Sequence, residues 1–209
     1  MINILFYGDS NTWGFDPETG NRYPYEKRWT TVCAKKLGAK YNCIPSGMNG
    51  RMTIFDDPLK ACRNGTEGLD YALQTHKPLD LFVLMLGTND LKHTGATGSA
   101  SGMEQLVSKI LSSNKRYSLS SPVFPNGAKI LLISPVLLNQ NIDETGWYDA
   151  KAESQKLSDL YREIAEKYGL EFLDAAAITD PSPVDGVHLS AEGHEKIGLA
   201  VAEKIAEIF

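Results

Sequence analysis

Two short stretches far apart in the chain hold the groups that acyl transfer needs. Near the start the sequence reads Phe6-Tyr7-Gly8-Asp9-Ser10-Asn11-Thr12-Trp13-Gly14, and near the end Asp185-Gly186-Val187-His188. A serine hydroxyl is a weak nucleophile until a base takes its proton. Histidine is the side chain whose ordinary pKa suits that task near neutral pH. A carboxylate must then hold the imidazole in the tautomer whose free nitrogen faces the hydroxyl. Donors must also face the oxygen that turns negative in the tetrahedral intermediate. Asn89, in Gly87-Thr88-Asn89-Asp90, offers an amide NH₂. Gly50, in Pro45-Ser46-Gly47-Met48-Asn49-Gly50-Arg51, lets a backbone N–H come close. Each motif also has a plain structural reading. Asp9-Ser10 can turn or cap the chain, Asn89 can satisfy loop backbone groups, Gly50 can make a turn, and Asp185 with His188 can cap the last helix.

The sequence has four histidines, so the base can be sought by elimination. His76 lies in Thr75-His76-Lys77-Pro78, between a helix and a strand and away from that strand's carboxyl end. His194 falls inside the last helix and reads as a solvated helical residue. His93 follows Asn89-Asp90 closely and is placed to line a pocket. His188 has a carboxylate three residues earlier, across a glycine-containing turn, so Asp185 can fold back onto its Nδ1.

These residues need a frame. Ile2–Phe6, Lys40–Ile44, Asp80–Leu86, Lys129–Ser134 and Glu171–Leu173 read as buried strands. The runs Leu81–Leu86 and Ile130–Ile133 are apolar without alternation, as strands covered on both faces are. Helical periodicity marks Glu26–Leu37, Thr66–Gln74, Gly102–Ser113, Asp149–Tyr168 and Ser190–Ile208, the last with Ser190 as N-cap. Alternation of strand and helix predicts a doubly wound parallel sheet in a single domain over residues 1–209. The candidate residues then fall at strand ends, on the carboxyl edge where such folds bind ligands. The turn-rich loops Asp16–Tyr25 and Asn139–Tyr148 belong near that edge, either to wall a pocket, to meet a partner subunit, or as solvated connections.

Bulk composition narrows the classes of partner. The 209 residues carry a net charge of −5, with no basic cluster longer than a pair, which argues against nucleic acid. No apolar run is long enough to cross a bilayer, so no membrane partner is expected. Met1 leads straight into a strand with no basic or apolar leader. Three cysteines, odd in number and without metal-type spacing, suit a reducing compartment. A cytoplasmic location is expected on both grounds.

Gly8-Asp9-Ser10, Gly50, Gly87-x-Asn89-Asp90 and Asp185-x-x-His188 occur in the order and rough spacing of the SGNH hydrolases, also called the GDSL esterase/lipase family. The chain resembles that family over nearly its whole length. The resemblance implies Ser10 as nucleophile and His188 as general base and acid, oriented by Asp185. It implies an oxyanion hole made of the N–H groups of Ser10 and Gly50 and the side chain of Asn89. It implies a flavodoxin-like three-layer α/β/α sandwich with a five-stranded parallel sheet, and no cofactor or metal. Gly8–Gly14, Arg28-Trp29, Met85–Asp90 and Asp185–His188 are similar to the small bacterial arylesterases and acyltransferases, which tend to be homo-oligomers with partner subunits shaping the entrance. Two departures stand out. Asn11 replaces the leucine of the family signature, with no consequence expected for the chemistry. Gly50 stands where some relatives carry alanine, and either should serve, because the donor is a backbone N–H.

The function this implies is hydrolysis of small carboxylic esters through an acyl-enzyme, with transfer to an alcohol as a variant. Asp9, Trp13 and Arg51 are candidate substrate contacts. Trp13 reads more readily as a core aromatic, and Arg51 as a loop organiser, a guide for an acidic substrate, or half of a surface ion pair. Two other readings remain. In a metal-dependent phosphoesterase, Asp9, Asn89, Asp90 and His188 would be ligands, but Ser10 would have no role. In a non-catalytic nucleotide or flavin binder, Gly8–Gly14 would cradle phosphate, against the charge of Asp9.

Overall fold

The computed structural model describes residues 1–117, 121–139 and 149–209. The chain runs β1 (Ile2–Gly8), α1 (Ser10–Trp13), α2 (Trp29–Leu37), β2 (Tyr41–Gly47), α3 (Gly65–His76) and β3 (Leu81–Met85). It continues through α4 (Gly95–Leu111), α5 (Ser113–Arg116), β4 (Ile130–Ser134), α6 (Ala150–Ser154), α7 (Leu157–Tyr168), β5 (Glu171–Asp174) and α8 (Ala191–Ile208). The strands form one parallel sheet in the order β2-β1-β3-β4-β5. That is the flavodoxin-like order, and it reverses beside β1.

Alternating side chains of β1 feed two cores. Ile4 and Phe6 point to the face covered by α2 and α8, where Trp29, Ile197 and Val201 are buried. Leu5 and Tyr7 point to the face covered by α3, α4 and α7, with Leu69, Met103 and Tyr161. Every residue of β3 and β4 is buried, which is why their sequences do not alternate.

Three of the element boundaries that differ from the sequence reading do so for a tertiary reason. The helix expected over Glu26–Leu37 is a 3₁₀ turn at Tyr25–Lys27, then an extended Arg28 (φ −70°, ψ 136°), then α2. Arg28 Nε is drawn to Tyr23 O at 2.8 Å, and Trp29 N donates to His194 Nδ1 at 3.3 Å. The helix expected over Asp149–Tyr168 is broken between α6 and α7. There Glu153 reaches out to accept from Ala96 N (2.8 Å), and Ser154 Oγ accepts from Leu138 N (3.1 Å). Helix α4 begins seven residues before the expected Gly102, because Ala96, Ser99 and Ala100 are small enough to bury against the core. Apolar periodicity has no signal for such a turn.

Of the two long loops, Asp16–Tyr25 folds back beside α1. Asp16 N donates to Asn21 O (2.9 Å) and Tyr23 N to Gly14 O (2.7 Å). Residues 140–148 of the second lie outside the described residues. Its first residue, Asn139, donates its N–H to Gly186 O at 3.0 Å, in the turn before His188.

Candidate active site

Strand β1 ends at Gly8, and Asp9 caps the single turn of α1 by accepting from Asn11 N at 2.9 Å. Ser10 is therefore the first residue of a helix turn held at the sheet's carboxyl edge. The turn lies so close to β2 that a Cβ on Gly47 would come within 2.1 Å of Trp13 N. Only glycine permits that approach. Ser10 Oγ stands 2.8 Å from His188 Nε2.

The imidazole is held from the other side by its own turn. His188 Nδ1 is 2.5 Å from Asp185 Oδ2, while Oδ1 accepts from the N–H groups of Val187 and His188, each at 3.0 Å. Burial pushes the Asp185 carboxyl up, but the hydrogen bonds from His188 and from the two backbone groups outweigh it and hold the carboxyl below its usual range. An ionised Asp185 accepts a hydrogen bond from Nδ1–H, which leaves the Nε2 lone pair facing the Ser10 hydroxyl.

Asn11 joins these two pieces. Its Oδ1 accepts from Leu189 N at 2.9 Å and its Nδ2 donates to Val187 O at 3.4 Å, so the residues flanking His188 are tied to α1. The sequence reading treated Asn11 as without consequence. It touches no reacting group, yet it sets where the imidazole sits relative to Ser10.

The third piece is the loop after β2. It is held by Met48 N donating to Gly8 O (3.1 Å) and closed into a turn by Arg51 N donating to Met48 O (3.1 Å). Gly50, inside that turn, has φ +73°, and a Cβ there would come 3.1 Å from Arg63 Nε. The left-handed backbone favours glycine. Alanine is therefore not equivalent here, contrary to the sequence reading. Asn89 Nδ2 donates to Arg51 O at 3.2 Å, and Lys92 Nζ donates to Asn89 Oδ1 at 3.2 Å, which orients the amide. Asp90, fully buried, clamps the same loop: its carboxyl oxygens accept from Thr53 N at 3.1 and 3.0 Å, and Thr53 Oγ1 donates to it as well. Burial raises the Asp90 carboxyl to about 7, against the lowering effect of the Thr53 hydrogen bonds.

Ser10, Gly50, Asn89 and His188 thus line one opening of about 170 Å³, with Phe15 on its wall 4.3 Å from the His188 ring. Among the described residues, its lining does not include Asp9, Trp13 or Arg51. Asp9 is buried beneath Ser10, and burial raises its carboxyl to about 6. Trp13 is half-buried under the Arg22 guanidinium, 4.8 Å from the ring centroid. Arg51 is no surface ion pair. It is buried, donates through Nη1 to Gly8 O (2.8 Å) and Ser46 O (2.5 Å), and lies 4.0 Å from the Tyr7 ring centroid. Its work is to fasten the loop ends beneath the opening.

Of the four histidines, His188 is the one brought onto Ser10 Oγ, and the reading of another needs correction. His194 is fully buried, not solvated, because α8 turns that face toward Trp29 and Tyr23. Burial drives its pKa down to about 3. Among the described residues, no cluster of three or more His, Cys, Asp or Glu side chains is arranged to hold a metal ion.

The GDSL-like Lipase/Acylhydrolase family matches residues 6–196. Est24, a carbohydrate acetylesterase from Sinorhizobium meliloti, is 36% identical, with 100% of each chain covered and a TM-score of 0.91. An aryl esterase from M. smegmatis is 32% identical, also with 100% of each chain covered, at a TM-score of 0.91. A multidomain esterase from Ruminococcus flavefaciens is 26% identical over 98% of this chain, which spans only 28% of that protein's length. With a match that takes in the end of β1, the glycine-bearing loop, the Asn89 turn and the Asp185–His188 turn, the chain belongs to the GDSL-like lipase/acylhydrolase family.

Proposed function

We propose that the chain is a serine esterase that hydrolyses small acyl esters through an acyl-enzyme on Ser10. The observation that carries this reading is the continuous contact from Ser10 Oγ through the His188 ring to Asp185, with spacings of 2.8 and 2.5 Å. Ser10 Oγ attacks the ester carbonyl as its proton passes to His188 Nε2. The carbonyl oxygen becomes an oxyanion facing the N–H groups of Ser10 and Gly50 and the amide of Asn89. Collapse breaks the bond to the alcohol, which leaves with the proton from Nε2. Water then attacks the acyl carbon as it gives a proton to Nε2, and collapse breaks the bond to Oγ, which takes that proton, so that the acid leaves and the Ser10 hydroxyl is restored. An alcohol in place of water transfers the acyl group instead.

A cavity of about 170 Å³ is smaller than the ~300–1,000 Å³ typical of sites for drug-sized ligands. That favours a short acyl group over a long lipid chain. The expected test is Ser10→Ala against an aryl acetate: a loss of several orders of magnitude supports the reading, and near-full activity ends it. The same reading has a homo-oligomer, on the strength of the resemblance to the small arylesterases, and native mass tests it. It also has a cytoplasmic protein, with Cys33, Cys43 and Cys62 as free thiols. No helix among the described residues is long and apolar enough to cross a membrane.

A further inference from the structure

The opening above Ser10 and His188 is walled by cations. Lys60, Arg63 and Lys92 line it, against one lining carboxylate, Asp57. The chain carries a net charge of −5, so positive charge is gathered here against the overall balance. The three cations sit in different surroundings. The Arg63 side chain lies on Gly50, close enough that a Cβ there would sit 3.1 Å from its Nε, and its Nη1 donates to Asn49 O. Lys92 Nζ is on Asn89 Oδ1 at 3.2 Å. Lys60 is exposed, at the end of a turn in which Asp57 Oδ1 accepts from the N–H groups of Leu59 (2.8 Å) and Lys60 (3.1 Å). Asp57 is thus committed in part to its own backbone. The cations also feel one another: burial, then Lys60, then Arg63 lower the Lys92 ammonium, while Asp57 and Asp9 oppose them. A negative group among the three relieves that repulsion, and a cleft lined by one sign of charge concentrates ligands of the other.

Building on the esterase reading, we propose that the ester taken by this site carries a carboxylate, on its acyl or its alcohol part, which Lys60 and Arg63 engage while the carbonyl lies between Ser10 and the donors of Gly50 and Asn89. Without such a group the cationic wall has another use, which is to stabilise the oxyanion itself through Arg63 and Lys92. The two uses differ in what they discriminate. Oxyanion stabilisation favours every ester alike, whereas carboxylate recognition changes the preference between esters.

The experiment measures that preference with matched pairs. On the alcohol side, 4-acetoxybenzoate is compared with its methyl ester; on the acyl side, monophenyl succinate is compared with phenyl butyrate. At low salt the kcat/KM of the anionic member of at least one pair should exceed its neutral partner by about fivefold or more, the scale of an exposed ion pair. The ratio should shrink as salt rises from about 20 mM to about 500 mM, as screening requires. Lys60→Glu should lower the same ratio by about tenfold, the neutral ester serving as the internal reference. Ratios near one in both pairs, or a ratio that Lys60→Glu leaves unmoved, overturn the proposal. So does a Lys60→Glu protein in which both esters slow together at constant ratio. Calorimetry on the Ser10→Ala protein reads the charge preference without turnover, and equal affinity for the anionic and neutral members again overturns it. If the anionic ester binds more tightly there while the native protein hydrolyses no ester, the esterase reading has failed and the carboxylate site has stood.

Discussion

Replacing Asp185 by asparagine should harm the reaction more than replacing it by alanine, although asparagine is the closer mimic. The reason lies in how the carboxylate is used. Oδ1 accepts from two backbone N–H groups, and Oδ2 faces His188 Nδ1. In Asp185→Asn one of those atoms becomes an NH₂. Turning the NH₂ toward the backbone would leave two N–H donors unpaired, at about 1–3 kcal/mol each. The amide oxygen therefore stays on the backbone, and the NH₂ points at Nδ1. A donor there requires Nδ1 to be the acceptor, so the ring proton moves to Nε2, the atom that receives the Ser10 proton in the proposed reaction. That is the wrong tautomer held in place, a fault that costs about 10⁴ in kcat in the chymotrypsin triad. At about 1.36 kcal/mol per tenfold it amounts to about 5.4 kcal/mol. Alanine removes the orienting group without imposing a tautomer, and a loss nearer 10² is expected from misplacement alone. The assay is kcat for an aryl acetate at pH 7.5 on both variants and the native protein, with circular dichroism to confirm folding. An Asp185→Asn protein within tenfold of native, or faster than Asp185→Ala, would refute the argument.

Further outcomes follow from neighbouring contacts. Asn89→Ala should lower kcat by about 10²–10³ with little change in KM, the signature of a donor used in the transition state; an effect on KM alone would remove Asn89 from the oxyanion hole. Asn11→Leu restores the family's usual residue but strands the buried Leu189 N–H, so thermal unfolding should show a loss of about 1–3 kcal/mol and kcat should fall by about tenfold or more. Unchanged stability and rate would show that the loop does not depend on it. Burial raises Asp90 to about 7, from an ordinary 3.8. The folded chain then binds a proton at Asp90 more readily than the unfolded chain, and this contribution to stability is full below about 4 and lost as pH rises through about 7. Asp90→Asn should therefore gain in melting temperature relative to native as pH climbs from 5 to 8, and a constant difference across that range would contradict the assignment.

The sheet was legible in the sequence because burial on two faces leaves an unbroken apolar run, as in Leu81–Met85 and Ile130–Ser134. Ser10 and Asn89 were legible because they stand beyond strand ends beside turn residues, and Asp185 and His188 because a local turn just before α8 brings one onto the other. What escaped the sequence depended on which face a polar residue turns inward. Arg51 has the composition of a surface residue, and its burial is decided by two carbonyls, from Gly8 and Ser46, that no local pattern announces. His194 has the spacing of an exposed helical residue until the start of α2 is seen to donate to it. Asn11 and Asp90 were set aside, or weighed only as a metal ligand, because their partners, Leu189 and Thr53, are 178 and 37 residues away. One signal was available for Asp90: an acid beside Asn89 at the end of the most apolar strand must be paired or neutral if buried.

The hydroxyl at position 10 and the ring at position 188 are 178 residues apart along the polypeptide. At ribosomal speeds of about 5–20 residues per second, roughly 9–36 s separate their synthesis. On the esterase reading proposed above, a nascent chain has its nucleophile throughout that interval but no means of activating it, so newly made protein is inert toward nearby esters until the closing turn docks. A fragment that stops short of residue 188 should stay silent. Adding back a peptide that spans the closing turn and α8 would be the way to ask whether the two ends can find each other without a covalent link.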